Sequence, residues 1–381
     1  MSFRGAVVAV CLLAAWSLPS FAHKPSDSYL TVTSIRGEQT LSAQWDIALR
    51  DLEHAVGLDQ DGDGRITWGE LKASRRAIES YALSRLSMEA IARGDRARCS
   101  ITPLALLVDQ HVDGHYAVLR LAIECPFEPA ELAVHYGLLF DVDPNHRGLL
   151  DVVRAEGGQA LVLTNDRRTT TISLTAPEHL AQFRSFLDEG IWHIWKGYDH
   201  ILFLLTLLLP AVVVYRGSQW QPRASLRDAT VDVLKVVTAF TVAHSITLSL
   251  AVIGVVWLPS RLVESGIALT VLLGAANNLI PVIRERRWLV AFAFGLIHGL
   301  GFASVLSDLG LQGGNLALAL VGFNAGVEAG QLAIVLVLVP VAYGLRATSF
   351  YRRAFMPAGA VAIGAVALYW FAMRATGLVL Q

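Results

Sequence analysis

Long apolar segments fill the second half of this chain, and they constrain its fold more than any other feature. Six segments of roughly the length needed to cross a bilayer follow one another after residue 190. They are Ile194–Tyr215, Val233–Val256, Leu262–Ile283, Leu289–Leu306, Leu316–Leu345 and Ala354–Leu380. Tryptophans near the segment ends suit an interfacial aromatic belt. The sequence therefore predicts a polytopic α-helical membrane domain of six helices over residues 189–381.

The first half differs in composition. Charged residues make up only 17% of the 381-residue chain, and most of them precede residue 190. Soluble proteins usually carry about 25%, so two unlike parts are joined here. The net charge of −1 gives no reason to expect a nucleic-acid partner.

The chain begins like a secretory protein. A basic Met-Ser-Phe-Arg start precedes an apolar run and the small-residue ending Pro19-Ser20-Phe21-Ala22. This pattern predicts a signal peptide over residues 1–22, cleaved after Ala22. The alternative is an uncleaved anchor helix, for which the run is short.

Residues 23–188 are predicted to form an exported, β-rich domain. Short segments of period-two alternation, such as Thr40–Leu49 and Tyr116–Cys125, favour a small β-sandwich. A helical insertion is expected to interrupt it from about Asp51 to Arg93. Cys99 and Cys125 lie on two candidate strands, and an oxidising compartment would permit a disulfide between them. Two free buried thiols remain the alternative.

The insertion contains the sharpest local motif, Asp59-Gln-Asp-Gly-Asp-Gly-Arg-Ile-Thr-Trp-Gly-Glu70. Its spacing is that of an EF-hand calcium loop, with a glycine at the sharp turn. The predicted Ca²⁺ ligands are the side chains of Asp59, Asp61, Asp63, Thr67 and Glu70 and the carbonyl of Arg65. A single loop of this kind on an exported domain favours a structural ion.

Arginines give the orientation of the membrane half. Loops expected inside carry Arg216, Arg223, Arg227, Arg284, Arg286, Arg287, Arg346, Arg352 and Arg353. This positive-inside bias agrees with export of the first half. We therefore expect a bacterial inner-membrane protein whose N-terminal domain and C-terminus are both periplasmic.

Ionisable side chains lie inside the predicted membrane helices, where they are costly and often mark an ion path. The candidate metal ligands are His193, Asp199, His200, His244, His298 and Glu328. At about 100° per residue, His193 and His200 would share one helix face. Histidine with carboxylate suits nickel, cobalt or zinc. Alternatively, such groups join helices through hydrogen bonds.

The run His193-x-x-x-Gly197-x-Asp199-His200 resembles the signature of the HupE/UreJ membrane proteins. Phe240-Thr-Val-Ala-His244-Ser, Phe294-Gly-Leu-Ile-His298-Gly and Phe323-Asn-x-Gly-x-Glu328 extend the likeness over roughly residues 190–381. The resemblance implies nickel or cobalt uptake, for hydrogenase and urease, with His193, Asp199 and His200 as the first ligand group. His298 and Glu328 would contribute from later helices.

The chain departs from its shorter relatives in three ways. Ile194 replaces a proline, Gly299-Leu300-Gly301 replaces a further histidine and glutamate, and the exported domain is long. The likeness is closest to a branch with such an N-terminal extension. These departures concern the cargo rather than the fold.

Three functions follow. The first is a divalent-metal permease, in which His193, Asp199 and His200 capture ions that later residues pass inward; the chain has no ATP-binding Gly-x-x-x-x-Gly-Lys-Ser/Thr loop. The second is an intramembrane zinc hydrolase acting on lipid amides, with Ser245 among its parts. The third is a non-catalytic scaffold whose exported domain binds a protein partner. The sequence favours a transporter over an enzyme.

Overall fold

The structure is a computed structural model, and it describes residues 26–35, 37–111, 114–154, 158–176, 178–303, 306 and 313–376. It divides into two compact units, with the change along the chain between Phe186 and Leu187. The first unit also takes in residues 313–321, and the second resumes at Gly322. The predicted signal peptide lies outside the described residues.

Two β-sheets form the first unit. The strands are β1 (Asp27–Thr33), β2 (Thr40–Ala48), β3 (Leu86–Ala92), β4 (Asp95–Arg98), β5 (Ser100–His111), β6 (Gly114–Glu124), β7 (Glu131–Tyr136), β8 (Arg147–Val153), β9 (Gln159–Leu163) and β10 (Thr169–Ser173). The six-stranded sheet has the order β5-β6-β2-β1-β8-β9, and the four-stranded sheet has the order β10-β7-β3-β4. Both sheets bury side chains in one apolar core that contains Trp45, Met88 and Val134. The predicted β-rich character of this half is confirmed.

The strand β1 lies inside its sheet. It pairs antiparallel with β2 and parallel with β8, where Asp27 is opposite Arg147. The Arg147 guanidinium donates two hydrogen bonds to the Asp27 carboxylate, at 2.7 and 2.9 Å. The first described strand is therefore stabilised by a strand that lies more than a hundred residues later in the sequence.

The predicted helical insertion is too long at its C-terminal end. Three helices, α1 (Leu49–Val56), α2 (Trp68–Ala73) and α3 (Arg75–Leu83), precede strand β3. Leu86, Met88 and Ala90 are buried while the residues between them are less so, which is the period of a strand. Continuing the helical pattern to Arg93 was therefore wrong.

A disulfide joins Cys99 and Cys125, whose Cα atoms are 4.3 Å apart. Cys99 immediately precedes β5 and Cys125 immediately follows β6, two antiparallel neighbours. The bond closes the ends of this strand pair.

The second unit is helical. Its helices are α4 (His179–Lys196), which begins in the first unit, α5 (Tyr198–Leu208), α6 (Leu226–Val252), α7 (Ser260–Leu279), α8 (Arg287–His298), α9 (Gly313–Leu345) and α10 (Met356–Thr376). A π-helical turn, Tyr351–Phe355, leads into α10. In the described part of the chain, four helices are long and apolar enough to cross a membrane: those containing α6, α7, α9 and α10. The membrane character is confirmed, while the count of six spans stays a prediction.

The two predicted segments outside this group are not long, uninterrupted α-helices. The first, predicted as Ile194–Tyr215, is interrupted at Gly197, and its helix α5 ends at Leu208. Tyr215 instead lies in β11 (Val213–Arg216), which forms a hairpin with β12 (Gln219–Pro222). The fourth segment is α8 followed by a 3-10 turn, Gly299–Phe302.

Candidate metal centre in the helical unit

The interruption at Gly197 brings two histidines together. Gly197 has an extended conformation (φ −76°, ψ 94°) between the end of α4 and the start of α5. In a straight helix, residues seven apart are separated by about 10 Å along the axis. Here the ring centroids of His193 and His200 are 4.5 Å apart. The two side chains meet because the helix is broken, and not because they share a helix face.

Glycine at this position is required by space. Its φ is negative and open to any residue. A Cβ built on Gly197 would lie 2.6 Å from the His193 carbonyl oxygen and 2.8 Å from His200 Nδ1. The Gly197 N–H also donates to that carbonyl at 3.0 Å. The absent side chain leaves room for the His200 ring.

Glycines also position the third and fourth histidines. A Cβ on Gly295 of α8 would lie 2.5 Å from the Phe240 carbonyl oxygen of α6, and one on Gly299 would overlap the His244 carbonyl. The two backbones therefore approach closely, which only small residues permit. As a result, His244 of α6 and His298 of α8 are buried in the same region.

Three histidines lie close enough together to share one metal ion. One ring nitrogen from each of His193, His200 and His244 lies within 4.8 Å of the others. The Nε2 atoms of His200 and His244 are buried and have no hydrogen-bond partner among the described residues. Buried nitrogens normally have one, so these lone pairs fit a cation.

The other nitrogen of two of these rings has an oxygen partner. His200 Nδ1 lies 3.0 Å from Asp199 Oδ1, and His244 Nδ1 lies 3.4 Å from Asn324 Oδ1. An Nδ1–H that donates to such an oxygen leaves Nε2 unprotonated and available to a metal. Asp199 thus contacts His200 and is not itself one of the three clustered groups.

Phenylalanines surround the three rings. Phe302 and Phe323 have ring centroids 4.8 and 5.2 Å from that of His193. Phe240 lies 6.0 Å from His244 and 6.3 Å from His200. Apolar walls lower the local dielectric and strengthen the attraction between a cation and its ligands.

Besides Asp199, two predicted ligands lie outside this three-histidine group. His298 has its ring centroid 5.1 Å from that of His200, but its Nε2 is 2.9 Å from the Thr270 hydroxyl. Glu328 accepts a hydrogen bond of 2.8 Å from Thr238. The hydroxyl partners arise from the packing of α7 and α6, which sequence periodicity does not reveal.

Asn324 is the supporting residue that the predicted ligand set omits. It precedes Glu328 and Gln331 at helical spacing on α9, and Gln331 Oε1 accepts a hydrogen bond of 3.0 Å from Thr241. The helical spacing of these three polar residues is visible in the sequence, but the pairing of Asn324 with His244 is not.

The predicted calcium loop lies between α1 and α2. Asp59, Asp61 and Asp63 each bring one carboxylate oxygen within 4.8 Å of the others. Gly62 and Gly64 have left-handed conformations, with φ of 72° and 79°, which glycine adopts without strain. These turns fold the acidic side chains toward one point.

The end of the loop forms the start of α2. The Thr67 and Glu70 side chains make a capping box, and Glu70 Oε1 accepts a hydrogen bond of 2.9 Å from the Gln60 backbone N–H. Hydrogen bonds from Thr67 lower the pKa of Glu70 to about 2, so this carboxylate is ionised at neutral pH. The Arg65 N–H donates to Asp63 Oδ1 at 2.8 Å.

Comparison with known families agrees with this architecture. The family described as HupE / UreJ protein matches residues 168–374, more than half of the chain. The chain belongs to the HupE/UreJ family. This family is associated with transport of nickel or cobalt, and the matched range includes all six predicted membrane ligands. No curated protein matches the chain at a significant level.

Proposed function

We propose that this HupE/UreJ protein is an inner-membrane permease for a divalent transition metal of the nickel or cobalt type. The observation that carries the proposal is the cluster of His193, His200 and His244, whose ligand atoms lie within 4.8 Å of one another. Imidazole nitrogens suit nickel, cobalt and zinc. Polar groups in an apolar helix bundle are costly and usually functional.

Polar contacts continue from this cluster along α6 and α9. Thr241 is bonded to Gln331, and Thr238 is bonded to Glu328. From His244 to Thr238 is six residues, or about 9 Å of helix. Glu328, half-buried, is suited to receive the ion after it leaves the histidines. His298, beside His200, would assist the transfer.

The metal is the cargo, and the geometry suits an ion that binds and leaves. Three neutral imidazoles leave coordination positions open to water or to a further ligand. The carboxylate of Asp199 bonds to His200 and would stabilise an entering cation through that ring. With the predicted orientation, Asp199, at the start of α5, faces the periplasmic side.

Cellular metal accumulation tests the proposal. Cells that express the chain should accumulate nickel or cobalt above cells that lack it, and His200→Ala should abolish the increase at matched membrane levels. Ser245→Ala is the matched control, because the Ser245 hydroxyl donates within its own helix, to the Thr241 carbonyl at 2.7 Å. Equal accumulation in wild type and His200→Ala would reject this site.

An intramembrane zinc hydrolase is the second candidate, favoured by the same three histidines. Catalytic zinc keeps three protein ligands and an open water position. The hydroxyl of Ser245 donates to a backbone carbonyl of its own helix, which weakens its assignment to the reaction. Stoichiometric tightly bound zinc together with lipid-amide hydrolysis would favour the enzyme, and metal accumulation would favour the permease.

We further propose that the first unit is periplasmic and binds one Ca²⁺ in the loop 59–70. The disulfide between Cys99 and Cys125 supports an oxidising compartment. Three converging aspartates repel one another without a cation, and extracellular calcium concentrations fill loops of about millimolar affinity. Calcium would then stabilise the region between α1 and α2.

A further inference from the structure

A second group of metal-type ligands lies in the first unit, outside both sites described above. Asp46 belongs to β2, while Asp109 and His111 belong to β5. One ligand atom from each lies within 4.8 Å of the others. The strand β6 lies between β2 and β5, so three adjacent strands build the group.

The three side chains share the sheet face opposite the apolar core. Asp46 is paired with Val118 of β6, and Val118 is paired with Leu107 of β5. Directly paired residues point to the same face, as do residues two apart on one strand. Leu107, Asp109 and His111 therefore lie on the face of Asp46, and Trp45 and Ile47 point into the core.

The Asp46 carboxylate is buried and held in place. It is 6% exposed, and the Gln44 amide donates to both of its oxygens, at 2.8 and 3.0 Å. In the part of the chain that the structure describes, no lysine or arginine forms an ion pair with it. Its partners are the neutral Gln44 amide and the His111 ring, which is charged only when protonated, so a bound cation would place a permanent opposite charge beside this buried carboxylate.

The His111 ring packs against two tyrosines, which also contact each other. Its centroid lies 5.0 Å from that of Tyr29, in a stacked arrangement, and 4.1 Å from that of Tyr116. His111 Nε2 is 3.1 Å from Asp46 Oδ2. Two ligands bound to one ion at about 2.1 Å are themselves about 3.0–3.4 Å apart, so these two groups need little movement to coordinate a metal.

We propose that Asp46, Asp109 and His111 form a second site for a divalent transition metal such as zinc, cobalt or nickel. An imidazole with two carboxylates suits these ions, whereas calcium takes oxygen ligands alone. Asp109 is exposed, so the site opens to solvent and can exchange its ion. It is a binding site on the first unit, and it exists whether or not the helical unit transports metal.

Cobalt binding to the full chain tests this site. The chain is purified in detergent without a histidine tag and saturated with calcium, so that the loop 59–70 is filled. His200→Ala serves as the background, because it removes a ligand of the membrane cluster. We expect equilibrium dialysis to show one bound Co²⁺ per chain, together with a visible absorption band. Both the bound ion and the band should disappear when His111→Ala is added. Adding Asp109→Asn should weaken binding at least 10-fold.

His115→Ala is the matched control, since His115 is an exposed histidine of β6 on the opposite face to His111. It should leave the cobalt stoichiometry unchanged. No cobalt bound in the His200→Ala background, or equal binding with and without His111→Ala, would overturn the proposal. Asp109→Asn changes a solvent-exposed side chain, so a loss of cobalt there with an unchanged melting temperature excludes misfolding. If the permease proposal is wrong, a different experiment shows it, because cells that express the wild type would then accumulate no extra metal.

Discussion

Replacing Gly197 by alanine is the most direct perturbation of the membrane cluster. The new Cβ would lie 2.6 Å from the His193 carbonyl oxygen and 2.8 Å from His200 Nδ1. Ordinary contacts between such atoms are at least about 3.4 Å. The methyl group therefore pushes on two of the three clustered histidines at once, and on the ring that is bonded to Asp199.

The size of the effect follows from these distances. Relief of the overlap needs a displacement of about 0.6–0.8 Å, whereas metal–ligand distances tolerate about 0.2 Å. Alanine also favours a continuous helix over glycine by about 1 kcal/mol, and a continuous helix would separate His193 from His200. Both effects weaken the site. Changing a supporting residue already costs about 10–100-fold in metal affinity, so we expect a loss of at least 10-fold, or about 1.4 kcal/mol.

Metal affinity of the purified chain is the assay, with cellular accumulation as the second measurement. Gly364→Ala is the matched control, because its Cβ would meet its nearest atom, Ala275 Cβ, at an ordinary 3.6 Å. It should leave both measurements unchanged. Wild-type affinity in Gly197→Ala, at equal protein levels, would refute the argument that the break at this residue builds the site.

Three further predictions concern other residues. Asp199→Asn should weaken metal binding about 10-fold or more by removing the charge that polarises His200, measured by equilibrium dialysis. Glu70→Gln should abolish the calcium-dependent rise in melting temperature, measured by scanning calorimetry with and without a chelator. Burial raises the pKa of Asp151 to about 7, with partial opposition from the Arg154 cation. The folded state therefore favours the protonated acid. This preference adds up to about 4 kcal/mol to the free energy of unfolding below about pH 4, and the added stability is lost as the pH rises through 7. Asp151→Asn should remove that pH dependence, measured by hydrogen exchange of β8.

Each of these predictions has an outcome that contradicts it. Unchanged metal affinity in Asp199→Asn would show that His200 needs no carboxylate partner. A calcium effect that persists in Glu70→Gln would place the ion elsewhere. A flat dependence of β8 protection on pH in the wild type would mean that Asp151 is ionised in the folded state at all pH values above 4.

The β-rich first half and helical second half could be predicted because periodicity and hydropathy are local properties of the chain. The strand β8 was not predicted, since its Leu149, Leu150 and Val152 are buried together and show no clear alternation. The strand β3 was included in the helical insertion because it follows directly on α3. A short strand buried in a sheet is hard to tell from a helix segment by pattern alone.

The candidate site was partly predictable for the same reason. His193, His200 and His244 were recognised because ionisable residues are rare in apolar segments. Their convergence depends on the broken helix at Gly197 and on the close approach of α6 and α8, which are tertiary features. A straight helix would have kept His193 and His200 about 10 Å apart along its axis. His298 and Glu328 lie outside the group, and each contacts a hydroxyl of a neighbouring helix, Thr270 and Thr238 respectively.

The position of β1 between β2 and β8 has a consequence for biosynthesis. Residues 27–33 leave the ribosome more than a hundred residues before their parallel partner, residues 147–153. Until then one edge of β1 can pair with no native strand, and exposed edges promote aggregation. The high contact order of this pairing also slows folding. A factor that covers strand edges until β8 has emerged would therefore assist folding of the nascent first unit.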